Sequence, residues 1–478
     1  MAGSHPKRPL SYHTPVKRLI VVLVVLALMA TAGALAYQAA ARDRDYRALV
    51  AAGDTALRDE QTFVAIEAYS GAIALRADSM LAHLRRGETY RRRGDRGDLD
   101  QAARDFRAAA ALDPSATRPL EELGDVLYQR QRYDQAADAY SRCLNVDDRS
   151  TRVSYKLALA HYSSGNPDAA VSTLGQTLRL DDRMANGYYL LGMCLRDSRR
   201  GPEAIQAFER ASTLSPGLIA AREELADLYQ SGGRHADEIE QLQLVAGLDR
   251  DRIERHVAIG LAQARAGHAE LAVLTLGQAL ERSSDHPLVY GALGQVWLDI
   301  TQARGDLVAL SKALEALERT AFDPSVTSAM LTLYGRALLQ DDHVDLAEQT
   351  LQRAATKYPL EPSALLWLAM AAERLNHVEA ARRALIDYNA LVDNDGKTVE
   401  RASRIASLSL RLNDPRTAVQ WLRRASGEAP ADVRVTASLA DAELRAGDRQ
   451  AARDTIARGL EKDANNPALL ALARRARS

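Results

Sequence analysis

Small and large apolar residues recur along the chain with a period close to 34 residues, from about residue 46 onward. A small residue leads each period, at Gly53, Gly87, Gly124, Ala158, Gly192, Ala226, Gly260, Gly294, Gly335, Ala369, Ala406 and Ala440. A second small position, usually 12 residues later, holds Ala65, Ala102, Ala136, Ala170, Ala204, Glu238, Ala272, Ala309, Ala347, Ala381, Ala418 and Ala452. Four residues further on, a large apolar group is expected, at Tyr69, Phe106, Tyr140, Leu174, Phe208, Leu242, Leu276, Ala313, Leu351, Leu385, Leu422 and Ile456. Glu238 and Ala313 are the weak members of these series.

This pattern predicts antiparallel helix pairs, because two helices cross closely only where neither carries a bulky side chain. Gly ends the first helix of a pair and Asn, Asp or Pro begins the second, as in the stretch SSGNP before Asp168. Pro then follows the second helix, as at Pro216 and Pro430. Three-residue insertions near Gly94 and Gly305 are expected to lengthen two of the turns within pairs. Extra residues after Phe322 allow a hinge there.

The repeated positions resemble those of the tetratricopeptide repeat (TPR) family over the chain from about residue 46 to its C-terminus. The resemblance implies an all-α fold, a right-handed superhelical solenoid of about twelve antiparallel helix pairs. It also implies that the first helix of each pair lines a concave face, with its second, fifth, ninth and twelfth positions pointing inward. Pro467 begins a short segment that we expect to cap the last apolar face, since repeat arrays need a solvated end.

An uncharged apolar stretch runs from Leu19 to Tyr37, and with the residues up to 41 it is long enough to cross a hydrocarbon layer of about 30 Å. Lys17 and Arg18 precede it directly, which favours a cytoplasmic N-terminus. The favoured interpretation is an uncleaved transmembrane helix, and the alternative is a signal peptide cleaved near Ala36. Both place the body of the chain outside the cytoplasm.

The sequence therefore divides into four expected segments. These are a cytoplasmic basic tail (1–18), a membrane anchor (19–41), a TPR array (46–466) and a C-terminal capping helix (467–478). The expected location is a bacterial inner membrane, crossed once, with the array in the periplasm.

Charge and composition exclude several classes of function. The net charge of the chain is -1, and the five basic residues ahead of Asp43 leave the remainder mildly acidic, which gives no electrostatic reason to bind nucleic acid. The two cysteines, Cys143 and Cys194, are expected as buried free thiols rather than as one disulfide. We find no metalloprotease, phosphate-loop or dinucleotide motif, and histidines such as His256 and His268 lack paired spacing. We therefore expect no enzyme activity, cofactor or metal.

The TPR register places one set of polar and aromatic residues on the expected concave face of the fourth and fifth repeats. These candidate partner-binding residues are Arg152, Tyr155, Tyr162, Asn186, Tyr189, Met193 and Arg196. Flat rings, guanidinium groups and an amide suit an extended peptide or a sugar chain. Ordinary packing of the tyrosines between repeats is the alternative.

Two further strips of the same face carry expectations, and Glu238, in the second small-residue series, carries another. An acidic strip is predicted at Glu121, Asp125, Glu223 and Asp227, and an apolar strip at Val257, Leu261, Leu288, Leu298, Leu366 and Met370. Glu238 replaces a small residue, and we expect its helix to tilt outward and keep the carboxylate in water.

Two functions fit these observations. The first is a non-enzymatic, membrane-tethered scaffold that binds protein partners in its concave groove as part of an extracytoplasmic envelope assembly. The alternative is a subunit that guides polysaccharide, because the chain also resembles the helical-repeat periplasmic parts of bacterial exopolysaccharide export systems.

Overall fold

The computed structural model describes residues 14–392 and 395–477, and side chains from residue 19 on within those ranges; every regular element in them is an α-helix. The predicted all-α fold of antiparallel helix pairs is confirmed. The chain forms two compact units, one ending at Leu228 and the other beginning at Tyr229.

The first unit holds α1 (Thr14–Arg58), α2 (Thr62–Leu75), α3 (Met80–Arg93), α4 (Asp98–Leu112), α5 (Thr117–Gln129), α6 (Tyr133–Val146), α7 (Thr151–Ser163), α8 (Pro167–Leu180), α9 (Ala185–Asp197), α10 (Gly201–Leu214) and most of α11 (Ile219–Ser231). The second unit holds α12 (His235–Leu248), α13 (Ile253–Arg265), α14 (Ala269–Arg282), α15 (Pro287–Arg304), α16 (Leu307–Ala321), α17 (Ser328–Gln340), α18 (Val344–Ala355), α19 (Ser363–Arg374), α20 (Val378–Leu391), α21 (Thr398–Arg411), α22 (Pro415–Glu428), α23 (Val433–Arg445), α24 (Arg449–Lys462) and α25 (Pro467–Arg477).

The apolar N-terminal segment and the first helix of the repeats are one continuous helix, α1. Its 45 residues correspond to about 67 Å of helix. Side chains in its first part are exposed, as at Leu28, which is 63% exposed, whereas Tyr46 and Ala56 are buried against α2 and α3. Within the described ranges, α1 is the one helix long and apolar enough to span a membrane. Lys7 and Arg8 of the expected basic tail lie outside the described residues.

The glycines of the first series lie where a large side chain of the paired helix packs against the backbone. A Cβ added at any of seven of them would lie between 2.3 and 2.7 Å from the facing ring or leucine, far inside the ordinary contact distance of about 3.5 to 4.0 Å. The seven contacts are Gly53–Tyr69, Gly87–Phe106, Gly124–Tyr140, Gly192–Phe208, Gly260–Leu276, Gly294–Leu317 and Gly335–Leu351. Six of them join the residues that the sequence pattern paired, which confirms that part of the prediction.

The predicted turn chemistry is visible ahead of α8. Gly165 ends the preceding helix with a φ of 80°, a conformation that a Cβ disfavours. The side chain of Asn166 then accepts a hydrogen bond from the Ala169 backbone N–H at 3.2 Å, and Pro167 begins the helix. This arrangement satisfies a free N–H group at the helix start and fixes where α8 begins.

The pair α15–α16 departs from the prediction. Gly294 faces Leu317 rather than Ala313, and the Cβ position lies 2.3 Å from the leucine Cγ. The two residues are 23 positions apart, compared with 16 in a regular pair such as Gly192 and Phe208, so seven residues are inserted rather than three. Seven residues make about two helical turns, which returns the same faces to the contact. Ala313, fully buried, therefore takes the small position.

The expectation that the Glu238 carboxylate stays in water is wrong. Glu238 lies on α12 and is 1% exposed, at the position that Ala holds in the other repeats. Arg265 of α13 donates a hydrogen bond to its Oε1 atom, and Nδ1 of His235 lies 3.1 Å from its Oε2 atom. These partners compensate the cost of burying the charge, which explains how the site tolerates a carboxylate.

The predicted apolar strip is only partly exposed. Leu298 is fully buried in the core of the second unit, so its predicted place on an apolar inward face is wrong, whereas Leu288 and Met370 are 38% and 39% exposed. Cys143 and Cys194 are buried free thiols, as predicted, and burial raises their pKa values to about 11 and about 12.

The seam after Phe322 lies inside the second unit, where Val326 is buried in the same cluster as Leu317. At the end of that unit, Leu469 and Leu472 of α25 pack with Ala440 and Ile456. The last helix thus covers apolar side chains of the final helix pair.

Candidate partner-binding surface

The candidate residues lie on α7 and α9, the first helices of two successive pairs. Ser150 caps α7 by accepting a hydrogen bond from the Val153 N–H at 3.5 Å. Apolar side chains on one side of each helix, such as Leu157 and Leu190, are buried, and Gly192 packs against Phe208 of α10. These contacts fix both helices. We call the surface formed by Arg152, Tyr155, Tyr162, Asn186, Tyr189, Met193 and Arg196 the α7–α9 surface.

The three tyrosines of this surface are half-buried. Tyr155 and Tyr162 pack against the core cluster that contains Leu174 and Cys194. The Tyr189 ring lies 5.8 Å from the Phe208 ring, centroid to centroid, with the planes tilted by 53°. Burial between repeats, the alternative to ligand binding, therefore accounts for part of their contacts.

The tyrosine hydroxyls differ in their partners. The Tyr162 hydroxyl donates to Asp197 Oδ2 at 2.8 Å, and burial together with this bond raises its pKa to about 12. Burial also raises the pKa values of Tyr155 and Tyr189, so both phenols stay protonated at neutral pH. Within the described part of the chain, neither of these two hydroxyls has a hydrogen-bond partner. They are the available donors of the surface.

Both arginines of the surface are already paired with acids, each with at least one acid on a neighbouring helix. Arg152 forms a two-pronged ion pair with Glu121 of α5, with Nη2 and Oε2 2.6 Å apart. Arg196 pairs with Glu224 of α11 and with Asp197, the latter at 2.9 Å. These guanidinium groups therefore connect successive repeats, and they reach a ligand only by sharing or exchanging their present partners.

The ion pairs also change the predicted acidic strip. Lys156 of α7 donates to Glu121 and to Asp125, each at 2.7 Å. Together with Arg152 it neutralises the acids of α5, so this part of the strip is not an exposed anionic surface. Of the two remaining candidates, Asn186 is exposed and Met193 is half-buried.

Sequence analysis missed two members of this region, Lys156 and Tyr128. Tyr128 of α5 donates or accepts a hydrogen bond with Ser163 at 2.8 Å, and its ring lies 5.1 Å from that of Tyr133. It stands 34 residues before Tyr162, in the same repeat position. That spacing is the sequence feature that could have identified it.

The surface offers hydrogen bonds, ring faces and exchangeable ion pairs, which are the contacts of a binding surface. Among the residues that the structure describes, no group of three or more His, Cys, Asp or Glu side chains is placed to hold a metal ion.

Two family models, both described as tetratricopeptide repeat, match the chain. One covers residues 91–148, 155–219 and 332–394, and the other covers residues 409–476. The chain therefore belongs to the tetratricopeptide repeat family, as its sequence pattern indicated. Proteins of this family bind protein partners, and the chain is accordingly a repeat protein of the kind that serves in protein interactions.

Solved structures to which the chain is similar include MamA, the TPR protein YrrB with an unusual peptide-binding site, and the Cut9–Hcn1 hetero-tetramer of the APC/C. MamA is 28% identical with a TM-score of 0.33, over 35% of this chain and 92% of its own. YrrB is 19% identical with a TM-score of 0.34, over 40% of this chain and 96% of its own. The Cut9–Hcn1 chain is 14% identical with a TM-score of 0.33, over 91% of this chain and 96% of its own. No curated protein matches this sequence.

Proposed function

We propose that this protein is a non-enzymatic, membrane-tethered scaffold that holds protein partners of an extracytoplasmic envelope assembly on its α7–α9 surface. The observation that carries the proposal is the α7–α9 surface itself, where two tyrosine hydroxyls have no hydrogen-bond partner among the described residues and the amide of Asn186 is exposed. Rigid aromatic side chains that carry a polar group are typical anchors of protein interfaces.

The tether is supported by the form of α1. The apolar and exposed first part of this helix continues without a break into Tyr46, whose hydroxyl lies 2.6 Å from Ser79 Oγ of the next helix pair. A continuous helix would hold the first repeats at a fixed distance from the membrane.

Partner binding is tested by photo-crosslinking from the full chain in its native membrane. A photoreactive amino acid replaces Asn186 on the α7–α9 surface or, as the control, Gln176, which is exposed on α8. We expect a protein adduct from position 186 only, and we expect it to disappear when Tyr155→Ala and Tyr189→Ala are added. A chain that yields no protein adduct from position 186 contradicts the scaffold proposal.

Orientation is tested by cysteine labelling of intact cells with a membrane-impermeant maleimide. The two native thiols are buried with raised pKa values, so they give little background. Ser172→Cys, exposed on α8, should be labelled without lysis, whereas Ser4→Cys ahead of the apolar segment should need it. The reverse pattern places the array in the cytoplasm and removes the extracytoplasmic part of the proposal.

A second function, guiding a polysaccharide, would use the same two hydroxyls, which have no hydrogen-bond partner in the described ranges. Tyrosine rings stack on sugar faces, and the phenols of Tyr155 and Tyr189 and the amide of Asn186 can bond to sugar hydroxyls. It predicts that Tyr155→Ala with Tyr189→Ala weakens oligosaccharide binding by the full chain while circular dichroism is unchanged. A glycan titration that the double variant leaves unaltered rejects this alternative.

A further inference from the structure

An open cleft of about 1310 Å³ lies in the second unit, where the α12–α13 and α14–α15 turns come together. We call it the α12–α15 cleft. Its lining holds four arginines and two histidines but one aspartate and one glutamate. The charged and titratable residues of the lining are Arg250, Asp251, Arg252, Glu254, Arg255, His256, Arg282 and His286.

Two of the arginines have no acid to balance them within the part of the chain that the structure describes. A third arginine of the lining, Arg252, forms an ion pair with Asp249, with Nε and Oδ2 3.3 Å apart. Neither Arg250 nor Arg282 has a carboxylate within 4.0 Å among the residues that the structure describes. Arg250 Nε donates to the neutral carbonyl of Gly247 at 3.4 Å, so neither positive charge is balanced and both are open to an anionic partner.

The contact made by Arg282 strengthens this point. Its Nη1 atom donates a hydrogen bond to Nε2 of His256, so the guanidinium bonds to a ring nitrogen rather than to a carboxylate. The Nδ1 atoms of His256 and His286 are buried and have no hydrogen-bond partner within the described ranges. Buried polar atoms of a folded protein are rarely left unpaired, and both of these belong to residues that line the cleft.

We propose that the α12–α15 cleft binds an acidic segment of a partner protein, with carboxylates meeting Arg250 and Arg282. Guanidinium groups form strong charge-assisted bonds with carboxylates, which accounts for the choice of ligand charge. The cleft is far larger than one small anion requires, since a water molecule occupies about 30 Å³, and this favours an extended ligand over a single ion. The proposal rests on the scaffold function for its kind of ligand but uses a different surface.

Binding of a fluorescein-labelled octaglutamate to the full chain in neutral detergent tests this site, with octaglutamine as the uncharged probe. We expect saturable fluorescence anisotropy with octaglutamate only. Arg250→Gln with Arg282→Gln should weaken it at least about tenfold, because two charge-assisted contacts are lost. Arg179→Gln with Arg183→Gln, two exposed arginines of the first unit, removes the same charge and should change it less than about twofold.

Competitors identify the class of ligand. Inorganic phosphate that displaces octaglutamate at equal concentration, or polygalacturonate that binds more tightly with the same dependence on Arg250 and Arg282, overturns the peptide assignment. If Arg250→Gln with Arg282→Gln and Arg179→Gln with Arg183→Gln lose octaglutamate affinity equally, the assignment of the site to the α12–α15 cleft is wrong. Tyr155→Ala with Tyr189→Ala should leave octaglutamate binding unchanged, which separates this test from that of the scaffold proposal.

Discussion

The helix pairs α5–α6 and α15–α16 make the same contact from different sequence spacings. In α5–α6, a Cβ at Gly124 would lie 2.3 Å from the Tyr140 ring, and in α15–α16 one at Gly294 would lie 2.3 Å from Leu317. The intervals are 16 and 23 residues. The contact between a glycine backbone and a large side chain of the paired helix defines the pair. The two residues are 16 positions apart only when no residues are inserted between the helices.

The insertion lengthens the pair where its two helices turn back. α15 has 18 residues and α16 has 15, compared with 13 and 14 for α5 and α6. The added residues fall within 300–309, where Ile300, Thr301 and Ala309 are buried but Leu307 and Val308 are 76% and 64% exposed. The lengthened pair therefore adds buried residues at the ends of the insertion and exposed residues between them.

The pairs also differ in polarity. The Tyr140 hydroxyl donates to Asp125 at 2.7 Å, and Asp125 also binds Lys156 of α7. Burial and this hydrogen bond raise the pKa of Tyr140 above its ordinary value, which keeps it a donor. Leu317 offers no such group, so α15–α16 relies on apolar contacts at this position.

The largest effect is expected from Leu317→Ala. If Leu317 fills the space over Gly294, its truncation should destabilise α15–α16 by about 2 to 5 kcal/mol, the usual cost of a cavity at a buried leucine. Native-state hydrogen exchange of the full chain measures this as faster exchange of the α15 and α16 amides.

Leu307→Ala is the control for that substitution, because Leu307 begins α16 and is 76% exposed. It should change the same amides by less than about 0.5 kcal/mol. If both variants exchange alike, Leu317 is not the large residue of this pair.

The comparison also shows which parts of the fold follow from sequence. Glycine and ring positions such as Gly124 and Tyr140 were predicted because a regular pair fixes their spacing. Leu317 was not predicted as the large residue, because Ala309 and Ala313 also fit the repeat pattern if three residues are inserted. Only the geometry of two added turns distinguishes the two registers.

Electrostatic partners were the other part that the sequence did not provide. Arg152 and Glu121 are 31 residues apart, and Arg265 and Glu238 are 27 apart, each pair on helices of successive repeats. Such partners depend on side-chain reach between helices, which a repeat pattern does not encode. The register placed Tyr155 and Tyr189 on adjacent helices, but it did not show which hydroxyl groups remain unpaired.

The second-largest effect is expected from replacing the glycine at the contact between the paired helices. Gly124→Ala should destabilise α5–α6 by about 1 to 3 kcal/mol, because the new Cβ would overlap the Tyr140 ring. Gly294→Ala should cost a similar amount in α15–α16, although Leu317 can move more easily than a buried ring. Hydrogen exchange of the two pairs gives both values.

Gly175→Ala is the matched control for these two variants. Gly175 lies inside α8, and nothing lies within 4 Å of its Cβ position. There alanine should stabilise the helix by about 0.5 to 1 kcal/mol, because only the conformational cost of glycine is removed. Destabilisation at Gly175 would mean that loss of glycine, rather than overlap, explains the result at Gly124.

The smallest effect is expected from Tyr140→Phe, which tests the polar difference between the pairs. The ring stays in place over Gly124 and only the bond to Asp125 is lost, so we expect a loss of about 1 kcal/mol. Tyr133→Phe, on the same helix, removes a hydroxyl that has no hydrogen bond within the described residues and should be neutral. Hydrogen exchange of α5 and α6 measures both variants. Since Asp125 keeps Lys156, exchange in α7 should stay unchanged, and faster exchange there would mean that Tyr140 positions Asp125 for the contact between repeats.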